Sequence, residues 1–340
     1  MHASVKLDAA DATQIAQNRS RRFASGMLLL ATLCWGCGFT WAKAGGETIN
    51  RITGEGDGAM LGPILLLAAR FFVAGLAWLS IFPAARRGWS LRSIWHSFAI
   101  GSLLAIGLIA QHLGLDRTSE AVSAFLTSLT ILFVPVLATI ALKQSPPARV
   151  WVAVLIATAG VWMMTGAAPG GGFGAGELLG LATALVFSIY VLVVNAIVPR
   201  DDPFRMAAGQ FLVTGLIAFA VIPFLNGGPE VLHPAALLRT FQPRDVWLHW
   251  ALLIVVPTLI AYGILTIYQP RIDATRAALI YLMEPIFASL YAFVFIHRGL
   301  GVVQLLGAAT ILLANLLAEL VEMRARGGKK SIEHAPREVV

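Results

Sequence analysis

Ten apolar stretches, each close to the length of a membrane-spanning helix, run along this chain in two sets of five separated by the glycine-rich break 169–176. Five is odd, so a second copy of a five-helix unit enters the membrane with the opposite orientation. A helix needs roughly 20 apolar residues to cross a hydrocarbon core ~30 Å thick, and only helices or closed barrels satisfy their backbone polar groups there. Unbroken runs such as 151–165 and 247–268 read as helices, because barrel strands alternate strictly over about ten residues. With 58% hydrophobic and 13% charged residues in 340, the chain is too apolar for a soluble globular protein.

The spacing predicts helices over 24–43, 60–82, 95–115, 120–142, 149–166, 177–198, 204–225, 246–268, 275–297 and 300–321. The chain then divides into an N-terminal tail (1–22), a first repeat (23–168), the glycine-rich connection (169–176), a second repeat (177–321) and a C-terminal tail (322–340). Both tails are polar and read as disordered. The first apolar run is too long for a signal-peptide core and lacks a small-residue cleavage pattern, so it reads as a retained anchor.

Positive charge tests the helix count, because cytoplasmic loops collect Lys and Arg. With the N-terminus inside, eighteen Lys and Arg fall on inner segments and six on outer ones, with Arg70 alone inside a span. That bias supports ten helices with both termini cytoplasmic. A pI near 9.8 invites a nucleic-acid reading, but the basic residues are scattered over membrane-flanking loops and no soluble segment is large enough to fold. The C-terminal cluster 324–330 suits an anionic cytoplasmic leaflet. Cys34 and Cys37 form CWGC in the first helix without other soft ligands nearby, and read as small packing residues rather than a redox or zinc pair. No metal and no cofactor is expected.

An internal repeat shows when AARFFVAGL (68–76) is laid over AGQFLVTGL (208–216), with five of nine positions identical. Each half also has a strongly apolar fourth helix containing a proline, Pro135 or Pro285, that passes through a tight connection into the fifth. The two prolines mark helix-break or hinge positions, since proline removes a backbone donor.

The first helix LLLATLCWGCGFTWAK, the second-helix LLLAARFFVAGL with its central arginine, the fourth-helix FLTSLTILFVPVLATIAL and the ninth-helix AALIYLMEPIFASLYAFVF together resemble the drug/metabolite transporter superfamily, specifically its EamA-type ten-helix members, over nearly the whole chain. The resemblance implies an all-α integral membrane fold of two inverted five-helix repeats, a central cavity opened alternately to each side, and small organic metabolites as cargo. Where the family usually has Gly-Glu after the fourth and ninth helices, this chain has Lys143-Gln144 and His297-Arg298, so no role for that glutamate carries over.

Charges near the bilayer centre cost about 2.5–3.5 kcal/mol each on insertion scales, and so face a cavity or a partner. Arg70 and Glu284 are such charges. Glu284 precedes Pro285, which loosens the helix where the carboxylate lies; it reads as a proton acceptor, as a partner for a substrate ammonium, or as a fixed counter-ion of Arg70 or another buried donor. The five donors of Arg70 suit a carboxylate cargo or a structural tie to acids and carbonyls. Gln111 and His112 lie near the outer end of the third helix, where the histidine reads as a gate, a relay or an interfacial residue. Trp35, Tyr262 and Tyr281 offer aromatic surface with polar tips for a partly apolar solute, or pack between helices. Gln210, the repeat mate of Arg70, and Asn195 read as interhelical hydrogen-bonding groups. Glycines at 36, 38, 75, 107, 215 and 263 and the GxxxG at 176–180 read as close-approach positions.

The expectation is a secondary transporter of small organic solutes such as amino acids in a bacterial inner membrane. It would run outward by alternating access, with proton coupling or exchange, in contact with lipid, as a monomer or homodimer. An integral-membrane enzyme acting on a lipid or isoprenoid is the alternative, although HExxH, GxSxG and a P-loop are missing from the sequence.

Overall fold

Apolar runs without charge leave the backbone no partner but itself, and the chain answers with helices throughout. The computed structural model describes residues 2–56, 58–115, 126–143, 148–165, 174–296, 301–314 and 317. Among these, seven helices are long and apolar enough to cross a membrane and three shorter apolar helices join them. In order they are α1 (His2–Thr53), α2 (Leu61–Ile81), α3 (Leu91–Leu115), α4 (Thr130–Leu142), α5 (Ala148–Thr165), α6 (Ala175–Ile197), α7 (Pro203–Val221), α8 (Arg244–Leu253, Ile254–Tyr262 and Gly263–Tyr268 in succession), α9 (Ala274–Tyr281 and Glu284–Ile296) and α10 (Val302–Ala314).

Two boundaries differ from the sequence reading. The N-terminal tail is helical from His2 and continuous with α1 rather than disordered; no Gly or Pro interrupts it before Gly26, and Ala, Gln and Arg favour helix. At its other end α1 runs past Lys43 to Thr53. The Gly45-Gly46 pair does not stop it but lets it cross α2 closely: a Cβ on Gly45 would lie 2.8 Å from Leu66, and one on Gly46 3.0 Å from Pro63. The expected start of the fourth helix at 120–125, most of the 169–176 break and the basic cluster 324–330 lie outside the described residues.

The packing carries the repeat symmetry. Helix α3 packs on α6 and α7, while α8 packs on α1 and α2; α4 packs on α6, while α9 packs on α1. Each pair maps onto the other when helices one to five are exchanged with six to ten. The axis passes between α2 and α7, where the contacts are reciprocal. Gly75 sits against Leu212, 2.7 Å from a Cβ built on the glycine, and Gly215 sits against Phe72, 2.6 Å from its Cβ to the Phe72 nitrogen. The alignment of 68–76 with 208–216 makes these the same contact made twice, as in any two-fold interface. Its mates Phe71 and Phe211 meet edge-on with centroids 6.1 Å apart.

Both fourth-in-repeat helices are irregular. In α9 the helix breaks at Leu282–Met283, where the Leu282 and Met283 amides bond three residues back to Leu279 and Ile280 at 3.3 and 3.0 Å, and it restarts at Glu284. Proline at 285 supplies no amide and its ring crowds the carbonyl four residues earlier, so the turn before it tightens. In the first repeat the helix stays continuous through Pro135, and the irregular turn lies upstream at Leu129, whose amide reaches back three residues to Leu126 at 3.1 Å. A third irregularity had no sequence reading: around Pro257, residues Ile254–Tyr262 of α8 wind as a π-helix, and the Thr258 hydroxyl donates to the Leu253 carbonyl five residues back at 2.7 Å.

Candidate functional site

Where α1, α2, α8 and α9 meet, an aromatic cluster forms near the middle of the spans. The Trp35 ring lies 5.0 Å from Tyr262 and 5.4 Å from Tyr281, and Phe71 lies 5.6 Å from Tyr262. The π-type winding of α8 is part of this arrangement, because the Trp35 indole N–H donates to the Pro257 carbonyl at 3.1 Å. A proline cannot continue the amide ladder, and the carbonyls loosened around it accept from other helices.

Polar groups ring the cluster. The Tyr281 hydroxyl donates to Gln269 Oε1 at 2.7 Å; the Gln269 amide in turn donates to Asn195 Oδ1 at 2.7 Å and to the Val191 carbonyl at 2.9 Å; and Asn195 donates to the Ile272 carbonyl at 2.9 Å. On the other side the Tyr190 hydroxyl donates to Gln210 Oε1 at 2.9 Å, and the Gln210 amide donates to the Thr266 hydroxyl. Gln210 and Gln269 are fully buried with both ends of their amides engaged. All of these bonds lie within the second repeat and tie α6 and α7 to α8 and α9.

The two charges behave differently from these glutamines. Arg70 is buried at the middle of α2 with its guanidinium 4.9 Å over the Phe71 ring, and its Nε has no hydrogen-bond acceptor. Tyr262 of α8 packs on the same Phe71 ring, and Glu284 stands at the restart of α9. Among the described residues Arg70 and Glu284 do not form an ion pair with each other. His112 places Nδ1 2.9 Å from the Leu108 carbonyl, which makes Nδ1 the protonated nitrogen and leaves Nε2 as the acceptor. Gln111 is half-buried on α3 and joins none of these groups. The structure thus gathers Trp35, Tyr262 and Tyr281, sets Arg70 over Phe71 beside them and Glu284 on the helix that carries Tyr281, bonds His112 within its own helix, and leaves Gln111 and Pro135 apart.

Tyr190, Thr266 and Gln269 carried no sequence expectation. Gln269-Pro270 reads as a helix end, and a buried glutamine at a helix end looks from sequence like an interfacial one. Only its 0% exposure separates the two.

From the aromatic cluster, rings continue toward the arginine-rich end of the molecule. Phe211 lies 5.7 Å from Trp78, Trp78 4.3 Å from Phe82, and Phe82 5.1 Å from Phe204. Trp78 is fixed from two sides: its indole N–H donates to the Phe204 carbonyl at 2.9 Å, and its ring nests on Gly263, where a Cβ would come within 2.5 Å. Beyond it lies a polar clasp. Arg205 donates to Asp201 Oδ1 through Nε at 3.1 Å and Nη2 at 2.8 Å, and through Nη1 to the carbonyls of Arg87, at 2.9 Å, and Gly88. His96 Nδ1 approaches the same carboxylate at 3.5 Å. Burial works against ionising Asp201, but the Ser93 hydroxyl, the Asp202 amide and Arg205 together hold its carboxyl below the usual aspartate range. The Trp78 contact and the Arg205 clasp thus join α2, α7 and α8 at the same end of the molecule.

Cys34 lies buried among Leu28, Ala31, Ala261 and Ile264, a packing position.

The EamA-like transporter model matches this chain twice, over residues 22–166 and 174–319, one copy on each half of the fold. The chain belongs to the EamA-like transporter family. The two matches coincide with the halves related across the α2–α7 axis. An uncharacterized transporter of Archaeoglobus fulgidus is 26% identical over 307 residues, covering 90% of this chain and 88% of that protein. A WAT1-related chloroplastic protein of Arabidopsis thaliana is 26% identical over 276 residues, covering 77% of this chain and 64% of its own length. A solved crystal structure superposes with a TM-score of 0.67 at 20% identity over 90% of this chain and 99% of that one, a likeness of fold. The chain is an integral membrane transporter of two repeats in an all-helical fold, and the family is one of transporters rather than enzymes.

Proposed function

We propose that this transporter is a secondary carrier that moves small organic metabolites, amino acids or related solutes, outward across a bacterial inner membrane by alternating access. Both termini then lie in the cytoplasm and the arginine-rich end faces inward. One observation carries the reading: Trp35, Tyr262 and Tyr281 cluster between the halves near Arg70 and Glu284, which among the described residues do not pair with each other, while the Trp78 nest and the Arg205 clasp join the helices at the arginine-rich end. Helices joined at the inner end, beyond a central site, suit a carrier that exposes the site to one side at a time. Rocking of the halves about α2 and α7 would part Trp78 from Gly263 and open the other side. Glu284, at the restart of a broken helix, is suited to take up a proton or an ammonium group.

Reconstituted liposomes tested with amino acids, polyamines and aromatic cations, with and without a proton gradient, provide the experiment. Saturable flux of at least one solute class is expected. Absence of flux across the panel, together with turnover of a lipid by the pure protein, would replace this reading with a membrane enzyme.

A further inference from the structure

Arg70 and Gln210 occupy the same place in the two repeats, on helices that face each other across the axis. The scaffold treats them differently. Gln210 accepts from Tyr190 on α6 and donates to Thr266 on α8, so both ends of its amide are satisfied. Arg70 is 93% buried by the complement of its 7% exposure, yet among the described residues it makes no hydrogen bond and no ion pair, and its Nε points at no acceptor. The groups shown against it are aromatic: Phe71 lies beneath it, and Tyr262 of α8 packs on that ring.

A guanidinium stays protonated at any physiological pH and presents five donors in a rigid planar fork. Held in a membrane-spanning helix without an anion, it is among the least favourable groups a protein can keep. A structural arginine would bring its acid with it, as Gln210 brings its tyrosine and threonine. We infer that the missing anion is supplied by the cargo, and that Arg70 is a subsite reading a carboxylate on the transported solute.

Carboxylate matches the fork bidentately and carries a single charge. A solute bearing a carboxylate at one end and an ammonium at the other also brings an opposite charge to Glu284, at the restart of α9. The assignment rests on the carrier reading above and deepens it. Between a structural tie and a cargo anchor for Arg70 it favours the anchor, because no tie exists among the described residues.

The test uses the purified full-length protein in detergent, with thermal unfolding as the readout. The probes are L-phenylalanine, its carboxamide and phenethylamine, together with the matching leucine series and phenyl phosphate. The free acids should stabilise the wild type with an apparent affinity about tenfold or more above the amides and amines, as expected for charge-assisted bonds. Arg70→Gln should reduce that ratio to near one, and Arg70→Lys should retain part of it. A ligand-independent arm guards against an unsuitable panel: without solute, Arg70→Gln and Arg70→Met should unfold at or above the wild-type temperature, since they remove an uncompensated charge. A lower midpoint in both variants would make Arg70 structural and overturn the inference. So would equal binding of acids and amides, no stabilisation by any carboxylate, or preference for phenyl phosphate. Flux of a carboxylate-bearing solute that is unchanged in Arg70→Gln would overturn the subsite while leaving the carrier standing.

Discussion

Alanine at Gly215 should destabilise this protein by about 2 kcal/mol, while alanine at its repeat mate Gly75 should be close to neutral. The two positions are equivalent in the fold, so the difference comes from what each new methyl would strike. At 215 a Cβ would lie 2.6 Å from the Phe72 amide nitrogen, 2.9 Å from its Cα and 3.0 Å from its Cβ. Comfortable contact needs about 3.5–4 Å, so α7 has to retreat from α2 by roughly 1 Å along a backbone that cannot rotate aside. Overpacking of this kind costs about 1–3 kcal/mol, and the upper end applies when the obstacle is main chain. At 75 the nearest atoms are Leu212 Cδ2 and Cγ, both at 2.7 Å, with the Leu212 nitrogen at 3.1 Å. The leucine tip can change rotamer, leaving a cost near 1 kcal/mol that the better helix propensity of alanine, about 1 kcal/mol, offsets. Equilibrium unfolding in mixed micelles measures both. Equal losses, or a larger loss at 75, would refute the reasoning that main chain at 215 and a leucine side chain at 75 set the two costs apart.

Glu284→Gln should abolish proton-driven stimulation of flux, or selectivity for cationic groups, while the variant elutes and unfolds like the wild type; normal transport at every pH would make the acid structural. Asp201→Asn should matter only above the acid range. A carboxyl held below its ordinary value of 3.8 contributes stability above that value and loses it as pH falls through the lowered one. The wild type should therefore unfold at a higher temperature than the variant near neutrality, with the gap closing toward pH 3; a gap that widens with acid would contradict the clasp. Arg205→Gln removes the donor that holds the Arg87 and Gly88 carbonyls, and trypsin added to inside-out vesicles should then cut at Arg86 and Arg87 several-fold faster. Unchanged cleavage would mean the loop is held by other contacts.

The ten helices were legible because apolar length and the lysine–arginine bias are one-dimensional signals. The repeat was visible only as five matches in nine, which apolar sequence produces by chance; its force comes from Gly75 on Leu212 and Gly215 on Phe72, which no spacing reveals. The loosening at Glu284-Pro285 was legible because proline acts locally, and the break falls at Leu282–Met283 as the missing amide requires. Proline 257 carries the same local signal, yet its π-helical consequence depends on the Trp35 indole N–H arriving from α1. The site divides in the same way. Trp35, Tyr262 and Tyr281 can be picked out as amphipathic aromatics, whereas the role of Gln269 depends on Asn195 and Val191 of α6 and Tyr281 of α9 converging on it. Whether Arg70 had a partner was a question of three-dimensional neighbours alone.

Solute exchange bears most directly on the central claim that two opposed halves alternately expose one shared site. Liposomes containing the purified transporter are preloaded with unlabelled solute, and uptake of the labelled solute is compared with that into empty vesicles. A carrier returns faster when loaded, so unlabelled solute inside should accelerate uptake several-fold, and blocking the separation of Trp78 from Gly263 by a crosslink should abolish both rates. Uptake that is indifferent to solute inside, or that persists through the crosslink, would contradict alternating access in this fold.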